Sequence, residues 1–242
     1  MTNFKPIKWV AAAVLGIAVL ATTADAYRVT PLLIELADSG RERSGQLRVE
    51  NTTDRPLTFE AYAVDWSISQ SGERTTAPSD APLLVFPPQA IVPPGETQVV
   101  RVEWVGGAVE QSRDFIVMIE QLPVDFTPEQ EEGSGVQFLF NFGAAVHVAP
   151  AGATSDLQVT SASVEGGTAV VQVSNDGTRH AYLGDRGLAI SAGDVTHEFT
   201  GDELAEAMGN TLIAAGAVRE VRIALPENFP AGSISAGFPT GS

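Results

Sequence analysis

The chain has 242 residues, with 14 basic against 30 acidic side chains, a formal net charge of −16 and no cysteine. That balance disfavours nucleic acid as a partner, because phosphate binding needs a concentration of Lys and Arg. The missing cysteines exclude disulfides, thiolate metal sites and cysteine nucleophiles, so stability must come from apolar cores.

Residues 1–26 read as an export leader. Lys5 and Lys8 give a positive start, Trp9 to Ala21 is apolar, and Ala24-Asp25-Ala26 has the small-x-small form cut after Ala26. The apolar run is too short to anchor a mature chain in a bilayer. Cleavage leaves a chain from Tyr27 in which 12 arginines supply all the basic charge against 29 acids.

From there the pattern is β throughout. Alternating or clustered β-branched segments bounded by Gly, Pro, Asn and Asp predict strands at 32–37, 45–51, 57–66, 84–86, 97–104, 114–121 and 136–148. Seven strands in such a length fit an immunoglobulin-like sandwich. Pro150 to Ser155 reads as a linker. A second set follows at 157–164, 168–174, 187–191, 195–199, 218–225 and 233–238. A short helix interrupts it, with Thr200 and Glu203 at capping-box spacing and Leu204 and Met208 on one face.

The two halves echo each other. Leu47-Arg-Val-Glu-Asn51 matches Val171-Gln-Val-Ser-Asn175. Ile91-Val-Pro-Pro-Gly95, leading to Val100-Arg-Val102, matches Ile213-Ala-Ala-Gly216, leading to Val221-Arg-Ile223. Their shared order predicts a tandem sandwich rather than one large sheet. The expected architecture is all-β: a leader at 1–26, one immunoglobulin-like domain at 27–150 and another at 151–242.

No constellation converges on catalysis. His147 falls inside a strand, while His180 and His197 lie in or near loops, and none has metalloprotease spacing. They read as ordinary surface or edge histidines. No G-x-S-x-G elbow and no glycine loop leading into a helix occurs, so no cofactor is expected. No metal is expected either, as no EF-hand pattern occurs, with a calcium site from the loop acids as the open alternative. Asn51-Thr-Thr53 matches a glycosylation sequon, but Asn51 reads as a turn residue.

Residues 123–148 carry the most information. A polar loop at 124–135, with acids at 129–132 and the joint Gly133-Ser-Gly135, precedes Val136-Gln-Phe-Leu-Phe-Asn-Phe142. Residues two apart share a strand face, so Val136, Phe138, Phe140 and Phe142 form one apolar row. The row is either core or a surface for a partner. Left uncovered on an edge strand, it also opens a route to self-association.

Several motifs, in order, resemble one family: the periplasmic chaperones of the chaperone–usher pathway, the PapD-like family. They are Pro31-Leu-Leu-Ile-Glu-Leu36, Arg41-Glu-Arg-Ser44 before Leu47-Arg-Val-Glu-Asn51, Phe86-Pro-Pro88, Val92-Pro-Pro-Gly-Glu-Thr-Gln-Val-Val-Arg-Val102, Glu120-Gln-Leu-Pro123 and His147-Val-Ala-Pro150. The resemblance implies two immunoglobulin-like domains in an L, located in the periplasm, that bind pilin-like fibre subunits and an outer-membrane usher without catalysis. It implies that Val136, Phe138 and Phe140, extended by Phe142, are lent to a subunit as a missing strand. It also implies a loop at 124–135 that orders on binding.

The chain departs from that family at the two basic residues that hold a subunit's terminal carboxylate. The first position is Leu33, and the second is Asn141 or Ala145. Arg28 and Arg113 are the candidate substitutes, on arginine's fit to carboxylates. The alternative is an immunoglobulin-like structural or adhesive module without an assembly role.

Overall fold

The computed structural model describes residues 27–123 and 139–239. The leader, the 124–135 loop with Gly133-Ser-Gly135, and the row members Val136 and Phe138 lie outside the described residues.

The first sandwich is built from ten strands. They are β1 (Tyr27–Thr30), β2 (Leu33–Ala37), β3 (Ser44–Asn51), β4 (Leu57–Ile68), β5 (Arg74–Pro78), β6 (Leu83–Phe86), β7 (Gln89–Val92), β8 (Thr97–Trp104), β9 (Arg113–Gln121) and β10 (Asn141–Ala149). One sheet runs β1-β3-β8-β6; the other runs β2-β10-β9-β4-β5, with β7 also on β4. The strand expected at 32–37 is β2, and a further strand, β1, precedes it and serves the opposite sheet. The chain crosses at Pro31, which has no N–H to give a ladder, and β2 then pairs parallel to β10.

The alternation seen in sequence sets the core. Leu47, Val49, Val100, Val102 and Trp104 from one sheet meet Phe59, Ala61, Phe115, Val117, Ile119, Ala144, Val146 and Val148 from the other. Burying each large side chain contributes about 1.5–3 kcal/mol. β1, β5 and β7 were not expected. Every residue of β5 is exposed, so no apolar period marks it. The long strand begins later among the described residues than the expected 136: Leu139 and Phe140 precede β10.

The second sandwich comprises β11 (Leu157–Glu165), β12 (Thr168–Asn175), β13 (Ala181–Tyr182), the short α1 (Leu183–Arg186), β14 (Leu188–Ala192), β15 (Val195–Phe199), α2 (Gly201–Met208), β16 (Leu212–Ile213), β17 (Val218–Ala224) and β18 (Ser235–Gly237). Sheets β11-β12-β17 and β15-β14-β18 enclose Val171, Val173, Leu188, Ile190, Ile213 and Val221. No helix among the described residues is long and apolar enough to cross a membrane.

α2 has the predicted capping box. The Glu203 backbone N–H donates to Thr200 Oγ1, and Thr200 N–H donates to the Glu203 carboxylate at 2.8 Å. Leu204 is fully buried beneath it. Replacing Thr200 with Ala is expected to cost about 1 kcal/mol, read as a shift of the second domain's urea midpoint. The Thr200 backbone and side-chain hydrogen bonds hold the Glu203 carboxyl below its ordinary value. A lowered carboxyl stabilises above the unfolded value, near 4.5, and that contribution fades as pH falls through the lower folded value.

The echo between halves is structural. Asn51 Nδ2 donates to the carbonyls of Arg55 (2.7 Å) and Val92 (2.9 Å), and its Oδ1 accepts from Thr53. Asn175 Nδ2 donates to Arg179 (2.8 Å) and Ile213 (3.2 Å), and its Oδ1 accepts from Asp156 and Gly177. Gly95 N–H returns to the Asn51 carbonyl and Gly216 N–H to that of Asn175. Both glycines have φ near +70°, which needs no side chain in the way. Both asparagines are completely buried. Asn51 is therefore a structural turn residue, closed to any glycosylating enzyme.

Candidate functional site

The outward face of the β2-β10-β9-β4 sheet is organised in rows set by register. Glu35, His147 and Asp114 are cross-strand neighbours. The next row is Leu33, Ala145, Ile116 and Val64, and above it Gly143 lies beside Met118 and Tyr62. The last row is Asn141, Glu120 and Glu60. Tyr62 donates its hydroxyl to Glu120 at 2.8 Å, and that bond pushes the phenol pKa up.

Leu33 and Ala145 are thus direct partners, and both are apolar. The proposed substitutes lie elsewhere. Arg28 sits on β1, in the other sheet, 3.5 Å from Glu50. Arg113 shares the parity of core residues Phe115 and Val117. Its guanidinium lies over the Trp104 and Phe115 rings and 3.9 Å from Asp65. Asn141 does share the outward face, but its row continues through two glutamates, Glu120 beside it and Glu60 beyond. The geometry brings neither arginine to the Leu33–Ala145 row.

Among the described members of the apolar row, Phe142 lies on the core-facing side of β10, the side of Ala144, Val146 and Val148, and Phe140 precedes it on the same parity. Phe142 packs against the core. Phe140 stays 39% exposed, although it stacks on Phe142 and meets the edge of Tyr27 at 5.0 Å. Gln121 clamps its backbone from both directions: Gln121 N–H donates to the Phe140 carbonyl, and Phe140 N–H donates to Gln121 Oε1. Phe140 therefore stands at the open end of the sandwich. The hollow beneath, lined by Tyr27, Val49, Phe59, Ile119 and Phe142, holds only about 10 Å³. That is scarcely one water and leaves no room for a small ligand.

The second domain docks against the lower rows. Trp66 and Ile116 pack with Leu212 and Tyr182. Ser112 N–H donates to Thr178 O, and Glu220 N–H donates to Gln70 O. Arg219, 2% exposed, donates to the carbonyls of Ser69 and Asn210, and burial lowers its pKa.

The histidines correct the sequence reading. His147 is fully buried and His180 nearly so, which is the opposite of surface residues. Only His197, on β15, is partly exposed, with its ring against Phe199. His147 Nδ1 lies 2.7 Å from Asp114 and its Nε2 lies 2.7 Å from the Tyr182 hydroxyl. His180 Nε2 is 2.9 Å from Glu35 Oε1, while Arg179 takes Oε2. The two imidazoles stack with centroids 3.8 Å apart. Burial pushes the Glu35 carboxyl up, but the His180 hydrogen bond and the charges of His180, His147 and Arg179 outweigh it and leave it lowered.

The comparisons with known proteins agree on the architecture. Residues 29–154 match the family model of the pili and flagellar-assembly chaperones, PapD N-terminal domain. No curated protein matches the chain by sequence. Among solved structures, the class 5 fimbriae chaperone CfaA is similar at TM-score 0.59 and 13% identity, over 90% of this chain and 100% of that one. The Pseudomonas aeruginosa CupB2 chaperone is similar at TM-score 0.53 and 16% identity, over 86% and 90%. A chain from the complex of Salmonella enterica SafA pilin with the SafB chaperone is similar at 0.52 and 15%, over 84% and 86%. At these identities the structures speak for the fold: two immunoglobulin-like β-sandwich domains.

Proposed function

This chain belongs to the family of pili and flagellar-assembly chaperones, which are not enzymes, and we propose that it caps incomplete fibre subunits by lending them the strand Val136–Phe142. The reading includes a leader cut after Ala26, domains at 27–150 and 151–242, work in the periplasm and delivery to an outer-membrane usher. The observation that carries it is Phe140. It precedes β10 on the parity of that strand's core-facing residues, yet it is left partly exposed at the open end of the sandwich. An added strand gains affinity from main-chain hydrogen bonds and specificity from alternate side chains. The row offers a bulky apolar group at every second position. The solved complex of SafA pilin with the SafB chaperone shows that this fold holds a pilin in one of its relatives.

The apolar Leu33–Ala145 pair bears on how a client is held. A carboxylate there would meet no cationic partner in its own row, and Glu35 lies one row below. We propose that the client is retained chiefly by the donated row. The test is co-expression with candidate fibre subunits and co-purification from the periplasm. A one-to-one complex is the expected result. A chain that emerges alone with every subunit encoded near it would instead favour a structural immunoglobulin-like module.

A further inference from the structure

The junction between the domains gathers groups that the capping reading does not use. Glu35, His147 and His180 each place a ligand atom within 4.8 Å of the other two. Glu35 and His147 come from the first domain's sheet, and His180 comes from the second domain. We propose that these three residues form a divalent transition-metal site, of the zinc class, that clamps the two domains together.

Four observations support the assignment. First, two imidazoles and one carboxylate are a donor set suited to zinc, leaving a fourth position for water. Second, Asp114 takes His147 Nδ1 at 2.7 Å. A carboxylate behind a histidine fixes the ring and turns its other nitrogen outward as the ligand. In the neutral ring that nitrogen is Nε2, and its lone pair already points into the junction, where the Tyr182 hydroxyl donates to it.

Third, His180 Nδ1 is buried without a hydrogen-bond partner. An orphaned buried ring nitrogen is costly, and such atoms mark places where an ion or water completes the site. Fourth, there is access. A cleft of about 430 Å³, lined by Glu35, Leu36, Pro150, Gly152 and Arg179, opens beside the cluster. Arg179 occupies Glu35 Oε2 and leaves Oε1, now on His180, for the ion.

The rings are stacked, with 21° between their planes. Imidazole lone pairs lie in the ring plane, so both rings cannot meet one ion while stacked. With Nε2 donating to Glu35, the neutral ring carries its lone pair on Nδ1, so His180 must turn out of the stack to bring that unpartnered nitrogen to the ion. The acidic chain, at −16, draws cations toward it.

The test uses the tag-free mature protein, stripped with chelator and titrated with zinc by calorimetry and with cobalt by visible absorption. One equivalent bound at micromolar or tighter Kd, with cobalt ligand-field bands and a Tm that rises with zinc concentration, is expected. Glu35→Gln and His180→Gln should each weaken binding at least about tenfold, and Asp114→Asn about 10- to 100-fold. His197→Ala, on β15, should bind as the parent does. Should His180→Gln misfold, Glu35→Gln still decides, because that side chain is partly exposed. Absence of binding in the parent overturns the site, as does binding that is equal in Glu35→Gln or lost in His197→Ala.

Discussion

Serine at both Phe138 and Phe140 is expected to abolish subunit capture while leaving the chaperone folded. Each phenylalanine that leaves water in a subunit groove contributes about 1.5–3 kcal/mol. Losing both weakens binding about 10²- to 10⁴-fold, enough to remove a complex from a pull-down. The folded state loses little at Phe140, because that ring is already 39% exposed and touches chiefly Tyr27 and Phe142. Phe142→Ser is the contrasting variant. Its side chain packs on the core, so about 1–3 kcal/mol of stability should go with it. Subunit affinity by calorimetry and urea midpoints for both variants separate the roles. If the double variant unfolds, those residues are core and strand donation fails. If it binds normally, the row is not the contact.

The second large effect is on stability. Asn51→Ala is expected to destabilise the first domain by about 3 kcal/mol or more, and Asn175→Ala to do the same to the second. Each substitution strips two carbonyls of their donor and leaves backbone or hydroxyl donors without Oδ1, and the bonds to Val92 and Ile213 are buried. A buried polar group left unsatisfied costs about 1–3 kcal/mol, and a domain holds only about 5–15 kcal/mol in all. Asn51→Asp keeps the volume and the acceptor but turns a carboxylate toward two carbonyls, so it should be at least as damaging as Ala. Urea unfolding followed by Trp66 and Trp104 fluorescence, both in the first domain, reads the Asn51 variants. Hydrogen exchange in β12 and β17 reads Asn175→Ala. A loss below about 1 kcal/mol in either asparagine would mean that water replaces the side-chain bonds and the turn is not held as described.

Much of this was legible in the chain because it is local. Period-two alternation over Leu47–Val49, Val100–Trp104 and Phe115–Ile119 marks strands and tells which side meets the core. Thr200 and Glu203 lie three residues apart and can reach each other only at a helix start. Asn51 and Asn175 were visible through repetition, since each is followed about 40 residues later by a glycine that closes the same turn. Short or fully exposed pieces such as β5 were not visible, because nothing apolar punctuates them. The two-residue β13 and β16 are too short for any period.

The histidine junction was read wrongly, and the reason is distance along the chain. His180 and Glu35 are 145 residues apart, and His147 and Asp114 are 33 apart. One signal was present. His147 sits among apolar neighbours in a strand, on the parity of Ala145 and opposite the core residues Val146 and Val148. That placed it on the outer face, where a lone histidine reads as exposed. Only the second domain, packed over that face, buries it.

By itself the sequence determined the β architecture, the two cores, the asparagine turns and the apolar row that ends in Phe140 and Phe142. Each follows from neighbours a few residues apart, so period and turn chemistry suffice. Tertiary structure alone decided three things. Leu33 is paired with Ala145, Arg28 and Arg113 are placed away from that row, and Glu35, His147 and His180 are brought together between domains. Those depend on strand register and on the docking of one sandwich against the other, and side-chain burial there comes from residues that no local pattern can name.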